Sequence, residues 1–150
     1  MKATVAAEGG RGALLTAFFV FCGLSVASNL YTLIPVSALI STEFLVSQKS
    51  AALASSLFLV AYAAGFLLLA RALDAVSRRG MLGAGLAILG LLTLGVGFSA
   101  NFPELLALRF LQGLAASVVA PTILAFVMES YPDRRKATAL AFVTAGFLMA

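Results

Sequence analysis

The stretch LRFLQGLAAS, residues 108–117, decides how this chain is read. It places Arg109 and Gln112 inside an otherwise apolar run that extends from residue 105 to residue 128. A guanidinium at the centre of a hydrocarbon layer costs about 2.5–3.5 kcal/mol on insertion scales. The surrounding leucines, valines and isoleucine can offset that cost on insertion, but the folded bundle must supply the arginine with partners. Gln112, Gly113 and Ala116 lie three, four and seven residues beyond Arg109 and share its helical face. That face is polar at one end and narrow at the other, so it is expected to point inward, with Arg109 and Gln112 facing a cavity and Gly113, Ala115 and Ala116 permitting close packing.

The rest of the chain supports a membrane setting. Of 150 residues, 62% are hydrophobic and 11% charged, against roughly 45–50% and about 25% in soluble domains. Charged residues punctuate apolar gaps of membrane length, since a hydrocarbon core of about 30 Å takes roughly 20 helical residues. The gaps predict an all-α integral membrane protein with helices near 13–36, 50–70, 80–102 and 105–128. A fifth, at 137–150, is incomplete, so the chain reads as stopping inside it. Pro35 and Pro121 sit late in the first and fourth spans and are expected to kink them. Gly83, Gly90 and Gly97 recur every seven residues in the third span and suggest a packing stripe.

Lysine and arginine set the orientation. Lys2 and Arg11 precede the first span; Arg71, Arg78 and Arg79 fall between the second and third; Arg134, Arg135 and Lys136 fall between the fourth and fifth. Lys49 stands on the other side. Residues 1–11 therefore read as a cytoplasmic tail and residues 12–150 as a membrane unit, with the cell's inner membrane as its location. The net charge of +4 is loop charge that orients the chain, not a nucleic-acid surface. The first apolar stretch is too long for a cleaved signal core of roughly 7–15 residues.

Several chemistries are disfavoured. The chain has no histidine and one cysteine, Cys22, which argues against a metal site of nitrogen and sulfur ligands and against a disulfide framework. No cofactor is expected. An enzyme is the least favoured class, because the spans lack a histidine base and intramembrane acids. The first three spans also hold no carboxylate for Arg109. Asn29 and Tyr31, near the middle of the first span, and Tyr62 in the second are the candidate neighbours. None cancels a full charge, so water, a helix end, an acid elsewhere or an anionic ligand would complete the site.

Two further clusters flank the spans. The loop at residues 70–80 holds Asp74 among Arg71, Arg78 and Arg79. Residues 129–136 place Pro132 and Asp133 before Arg134, Arg135 and Lys136. Together these patterns resemble the major facilitator superfamily. Its loop pattern G-x-x-x-D-R-x-G-R-R is matched in part, by Asp74, Arg78 and Arg79, while Ala70, Ala75 and Ser77 depart from it. Its fourth-helix pattern R-x-x-Q-G is kept by Arg109, Gln112 and Gly113, with small residues following.

The resemblance covers the chain from about residue 12, and the chain closely resembles drug:proton antiporter-like multidrug efflux permeases. It implies a partial N-terminal six-helix half of a twelve-helix secondary transporter. It further implies a cytoplasmic gating loop at Asp74, Arg78 and Arg79, and a coupling role for Arg109. The expected partners are a small organic substrate, the lipid bilayer and a C-terminal half, with the proton as coupling ion. An importer of sugars or organic anions on the same fold stays open, as does a small oligomeric channel or assembly protein.

Overall fold

The computed structural model describes residues 10–69 and 77–149. The described residues form seven helices: α1 (Gly10–Tyr31), α2 (Ser37–Glu43), α3 (Gln48–Leu69), α4 (Arg78–Gly97), α5 (Phe102–Ser117), α6 (Val119–Ser130) and α7 (Asp133–Leu148). Among the described residues, four helical stretches are long and apolar enough to cross a membrane: α1, α3, α4, and α5 with α6 taken together. A helix whose backbone bonds are all internal is one of the two structures that hydrocarbon tolerates.

The prolines break helices where a kink was expected. Proline has no N–H to donate four residues back, and its ring crowds the carbonyl there. Four residues before Pro35 is Tyr31, where α1 ends, not at 36 as the apolar run suggested. A tight turn follows, with Ile34 N donating to the Tyr31 carbonyl at 3.0 Å, and the short α2 begins at Ser37. Four residues before Pro121 is Ser117, where α5 ends. Val118 keeps a near-helical conformation (φ −82°, ψ −18°), so the fourth span continues as α6 instead of turning away. The expected helix at 105–128 is thus two helices covering residues 102–130.

Caps fix the other ends. Asn101 accepts from Glu104 N at 2.9 Å, and the Glu104 carboxylate accepts from Ala100 N at 3.0 Å, a reciprocal arrangement that satisfies donors at the start of α5. Ser77 accepts from Gly80 N at the start of α4. Pro132 precedes α7, which begins at Asp133, four residues earlier than the apolar pattern indicated. Lys136 donates to Asp133 at 2.7 Å, and this hydrogen bond, with the attraction between the charges, holds the Asp133 carboxyl below the ordinary carboxylate range.

The bundle is organised by two close crossings. α3 packs along α5, and α1 packs along α7. Glycine permits both. A Cβ on Gly113 would overlap the Phe58 carbonyl oxygen and sit 2.8 Å from Ala61 Cβ. A Cβ on Gly146 would sit 2.8 Å from the Val20 carbonyl oxygen. The expected stripe behaves otherwise: Gly83, Gly90 and Gly97 meet nothing within 4 Å, and it is Gly85 that seats α4 against Val118. The stripe therefore lies on an open face of α4.

Phe19, Cys22, Val26, Phe58, Ile123, Val127 and Val143 form part of the main core. A second cluster of Leu33, Ile40, Ala51, Ala54 and Leu105 lies beneath α2. Large apolar side chains such as Leu14, Phe21, Leu67, Leu91 and Phe142 point outward, as expected of a surface that meets lipid.

Candidate functional site

Arg109 and Gln112 are among the most deeply buried side chains, 2% and 1% exposed. They face α3, α1 and α4, not the cavity expected from the sequence. Gly113 makes this possible by bringing α3 so close that its backbone becomes a ligand. Arg109 Nε donates to the Ala54 carbonyl oxygen at 3.4 Å, and Nη1 donates to the Asn29 carbonyl oxygen at 3.0 Å. Nη1 also donates to Gln112 Oε1 at 3.0 Å. The guanidinium carbon lies 4.5 Å above the centre of the Phe58 ring, an attraction worth about 2 kcal/mol when desolvated. Nη2 is buried and has no hydrogen-bond partner among the described residues.

Gln112 extends the site across the bundle. Its Nε2 donates to Thr93 Oγ1 at 3.0 Å and to Asn29 Oδ1 at 3.2 Å. Asn29 Nδ2 donates in turn to the Ser25 carbonyl oxygen. Arg109 and Gln112 are the buried part of this network, Asn29 is half-buried and Thr93 is exposed; buried polar groups gain from low dielectric only when they are satisfied, and here one buried donor is left over.

The structure sorts the sequence candidates. Asn29 joins Arg109 and Gln112 at the site, but it reaches Arg109 through its backbone carbonyl and Gln112 through its side chain. Tyr31 does not join them. It is 50% exposed, because two residues along a helix turn a side chain about 200° away from Asn29. Tyr62 stacks on Phe58 with rings 9° from parallel and makes no bond to Arg109. Thr93, Phe58 and the Ala54 carbonyl were not singled out from sequence. Thr93 had a signal, since it is the sole polar residue between Gly80 and Ser99 apart from glycines. A backbone carbonyl has none.

At the end of the bundle where α4 begins and α6 finishes, Arg78 grips Glu129. Arg78 Nε donates to Glu129 Oε2 at 2.8 Å and Nη2 donates to Oε1, a two-pronged geometry that favours arginine over lysine. Nearby, Tyr131 donates to the Gly12 carbonyl at 3.3 Å and contacts Thr16 Oγ1 at 3.1 Å, tying α1 to the turn before α7. Asp74 and Arg71 lie outside the described residues. Arg79 is exposed and forms no ion pair among the described residues, so of the expected gating group only Arg78 is seen in a contact between helices. The pair is partly exposed, and exposed pairs contribute little. Glu129→Gln is expected to lower the unfolding temperature slightly at low salt and not at high salt, a difference that thermal unfolding in detergent at the two salt levels will read.

A profile of the Major Facilitator Superfamily matches residues 14–150. The chain is 24% identical over 130 residues to an uncharacterized transporter of Schizosaccharomyces pombe, covering 87% of this chain and 22% of that protein. It is 34% identical over 74 residues to the 4-hydroxybenzoate transporter PcaK of Pseudomonas aeruginosa, covering 49% of this chain and 16% of that protein. The chain thus spans less than a quarter of the length of these relatives. Four apolar helices of spanning length, a buried arginine at the crossing of two of them, and a family match over nearly all the residues lead to one conclusion: this multi-pass membrane chain belongs to the major facilitator superfamily, a family of transporters.

Proposed function

We propose that the chain is the N-terminal portion of a secondary active transporter that moves small organic solutes by alternating access, in proton-coupled efflux. The carrying observation is Arg109, a cation buried by three helices, with one donor unmet and no carboxylate in contact among the described residues. A fixed positive charge in a poorly solvated interior favours the deprotonated form of any carboxyl that approaches it. A carboxyl from another part of the protein that meets Nη2 would release its proton on arrival and regain it on departure. Such halves rock about a midplane site in this fold type, and that rocking supplies the approach and the departure. The loop bearing Asp74, Arg78 and Arg79 acts as the latch on the cytoplasmic side; the Arg78 grip on Glu129 supports that reading.

A second reading is an organic-anion carrier of the same fold. The identity with a protein named as a 4-hydroxybenzoate transporter favours it, and a carboxylate on the substrate would meet the free donor of Arg109 equally well.

The test uses the full-length protein in liposomes with an imposed pH gradient and two probes, ethidium and 4-hydroxybenzoate. Proton-driven movement of ethidium against its gradient, abolished by a protonophore, is the expected result. Movement of 4-hydroxybenzoate alone would replace the efflux reading with the second. No gradient-dependent movement of either would overturn both.

A further inference from the structure

We propose that Thr93, on α4, is a positioning residue for Arg109 and acts through Gln112. This rests on the reading of Arg109 as the working charge of a transporter. The argument is a count of donors and acceptors. Gln112 has a carbonyl oxygen at one side of its amide and two N–H groups at the other. The N–H side has two acceptors, Thr93 Oγ1 at 3.0 Å and Asn29 Oδ1 at 3.2 Å. Asn29 is itself fixed in the accepting orientation, since its Nδ2 donates to the Ser25 carbonyl at 2.9 Å. The Gln112 oxygen is thereby turned toward Arg109 Nη1, 3.0 Å away.

Thr93 accepts from Gln112 in this orientation because its single proton has carbonyl oxygens of its own to serve. It lies within donating distance of Asn29 Oδ1 at 2.9 Å and of the Leu89 carbonyl at 2.7 Å. Either choice leaves an oxygen lone pair for Gln112. A flipped Gln112 would set its oxygen against Asn29 Oδ1 and its amino group against the guanidinium, so the contacts to Asn29 and Arg109 would both be lost. Arg109 depends on the outcome. Nη2 is unmet and Nε reaches Ala54 only at 3.4 Å, so the two bonds of Nη1 carry most of the fixing of the fork. Thr93 also places α4 in the network, so a movement of α4 relative to α1 and α5 would release Gln112 first and Arg109 next.

The experiment has two arms, both on the full-length protein. In lipid nanodiscs with ¹⁵N-labelled arginine, the Arg109 guanidinium signals are assigned by their loss in Arg109→Lys. Wild type and Thr93→Ser are expected to show two separate Nη signals from a restrained group. Thr93→Val, which keeps the shape and removes the hydroxyl, is expected to show them merged by rotation. Thr93→Ala gives the same reading should the valine variant fold poorly. Separate signals in a variant lacking the hydroxyl would overturn the proposal.

In liposomes, ethidium turnover is expected to fall roughly two- to tenfold in Thr93→Val, the worth of one ordinary hydrogen bond, with KM unchanged and recovery in Thr93→Ser. Equal turnover in Thr93→Val and wild type, or equal loss in the serine and valine variants, would overturn it as well. Should wild type move no ethidium, the efflux reading fails while the guanidinium signals still decide the role of Thr93.

Discussion

Gly113→Val is expected to leave little folded protein in mild detergent. The reason is the α3–α5 crossing. A Cβ at Gly113 would overlap the Phe58 carbonyl oxygen and lie 3.0 Å from Tyr62 N, so the obstacle is backbone, which cannot rotate aside. Overpacking typically costs about 1–3 kcal/mol and occasionally more. Here the valine also carries two methyl groups into the same space, which places it at the upper end. Separating the helices removes the Ala54 carbonyl and the Phe58 ring from Arg109, so the packing loss and the polar loss coincide. Gly83→Ala is the matched control. Nothing lies within 4 Å of its Cβ position, and alanine is favoured over glycine in a helix by about 1 kcal/mol. Thermal unfolding followed by size-exclusion chromatography should rank Gly83→Ala at or above wild type and Gly113→Val far below. Similar unfolding temperatures for both variants would mean that the crossing is looser than described.

Arg109→Lys is expected to reduce transport about 10- to 100-fold while retaining the charge. An ammonium is a compact point charge, whereas the guanidinium is a planar fork. The fork reaches Ala54 through Nε, and Asn29 and Gln112 through Nη1, while its face rests on Phe58. One lysine nitrogen on a flexible stem cannot serve three acceptors held in that plane. Losing one hydrogen bond to a charged group costs about 1.5–3 kcal/mol, and each 1.4 kcal/mol is tenfold, which sets the range. The check is ethidium turnover per folded protein. Wild-type turnover in the lysine variant would reduce Arg109 to a simple source of charge.

Much of this was legible in the sequence, for identifiable reasons. Charge spacing marks membrane spans because hydrocarbon rejects charge, and all four spans are present. Arg109, Gln112 and Gly113 were found together because helical spacing puts them on one face and glycine on that face invites a close neighbour. Two lessons came from position relative to proline. The helix ends fall at Tyr31 and Ser117, four residues before Pro35 and Pro121, where proline cannot supply the helical N–H donor. That rule was available, but a kink and a break look alike in an apolar run.

The partners of Arg109 were harder to read. Ala54 and Asn29 serve it through carbonyl oxygens, which every residue carries, so no residue type announces them. Thr93 is a lone polar residue in an apolar span, yet threonine so often bonds its own helix that such a residue is a weak pointer to a partner. Tyr31 was chosen for its chemistry and fails on angle. The glycine repeat of α4 was chosen for its period and proves to line an open face, since period identifies a face but not what covers it.

The most direct test of the central claim follows protons, not substrate. Full-length protein is placed in liposomes containing a pH-sensitive dye, and ethidium is added outside. If Arg109 couples solute movement to proton release, wild type will alkalinise the lumen as ethidium enters, and Arg109→Lys, matched for folded protein, will not. Alkalinisation of equal rate and extent in the two proteins would contradict the account.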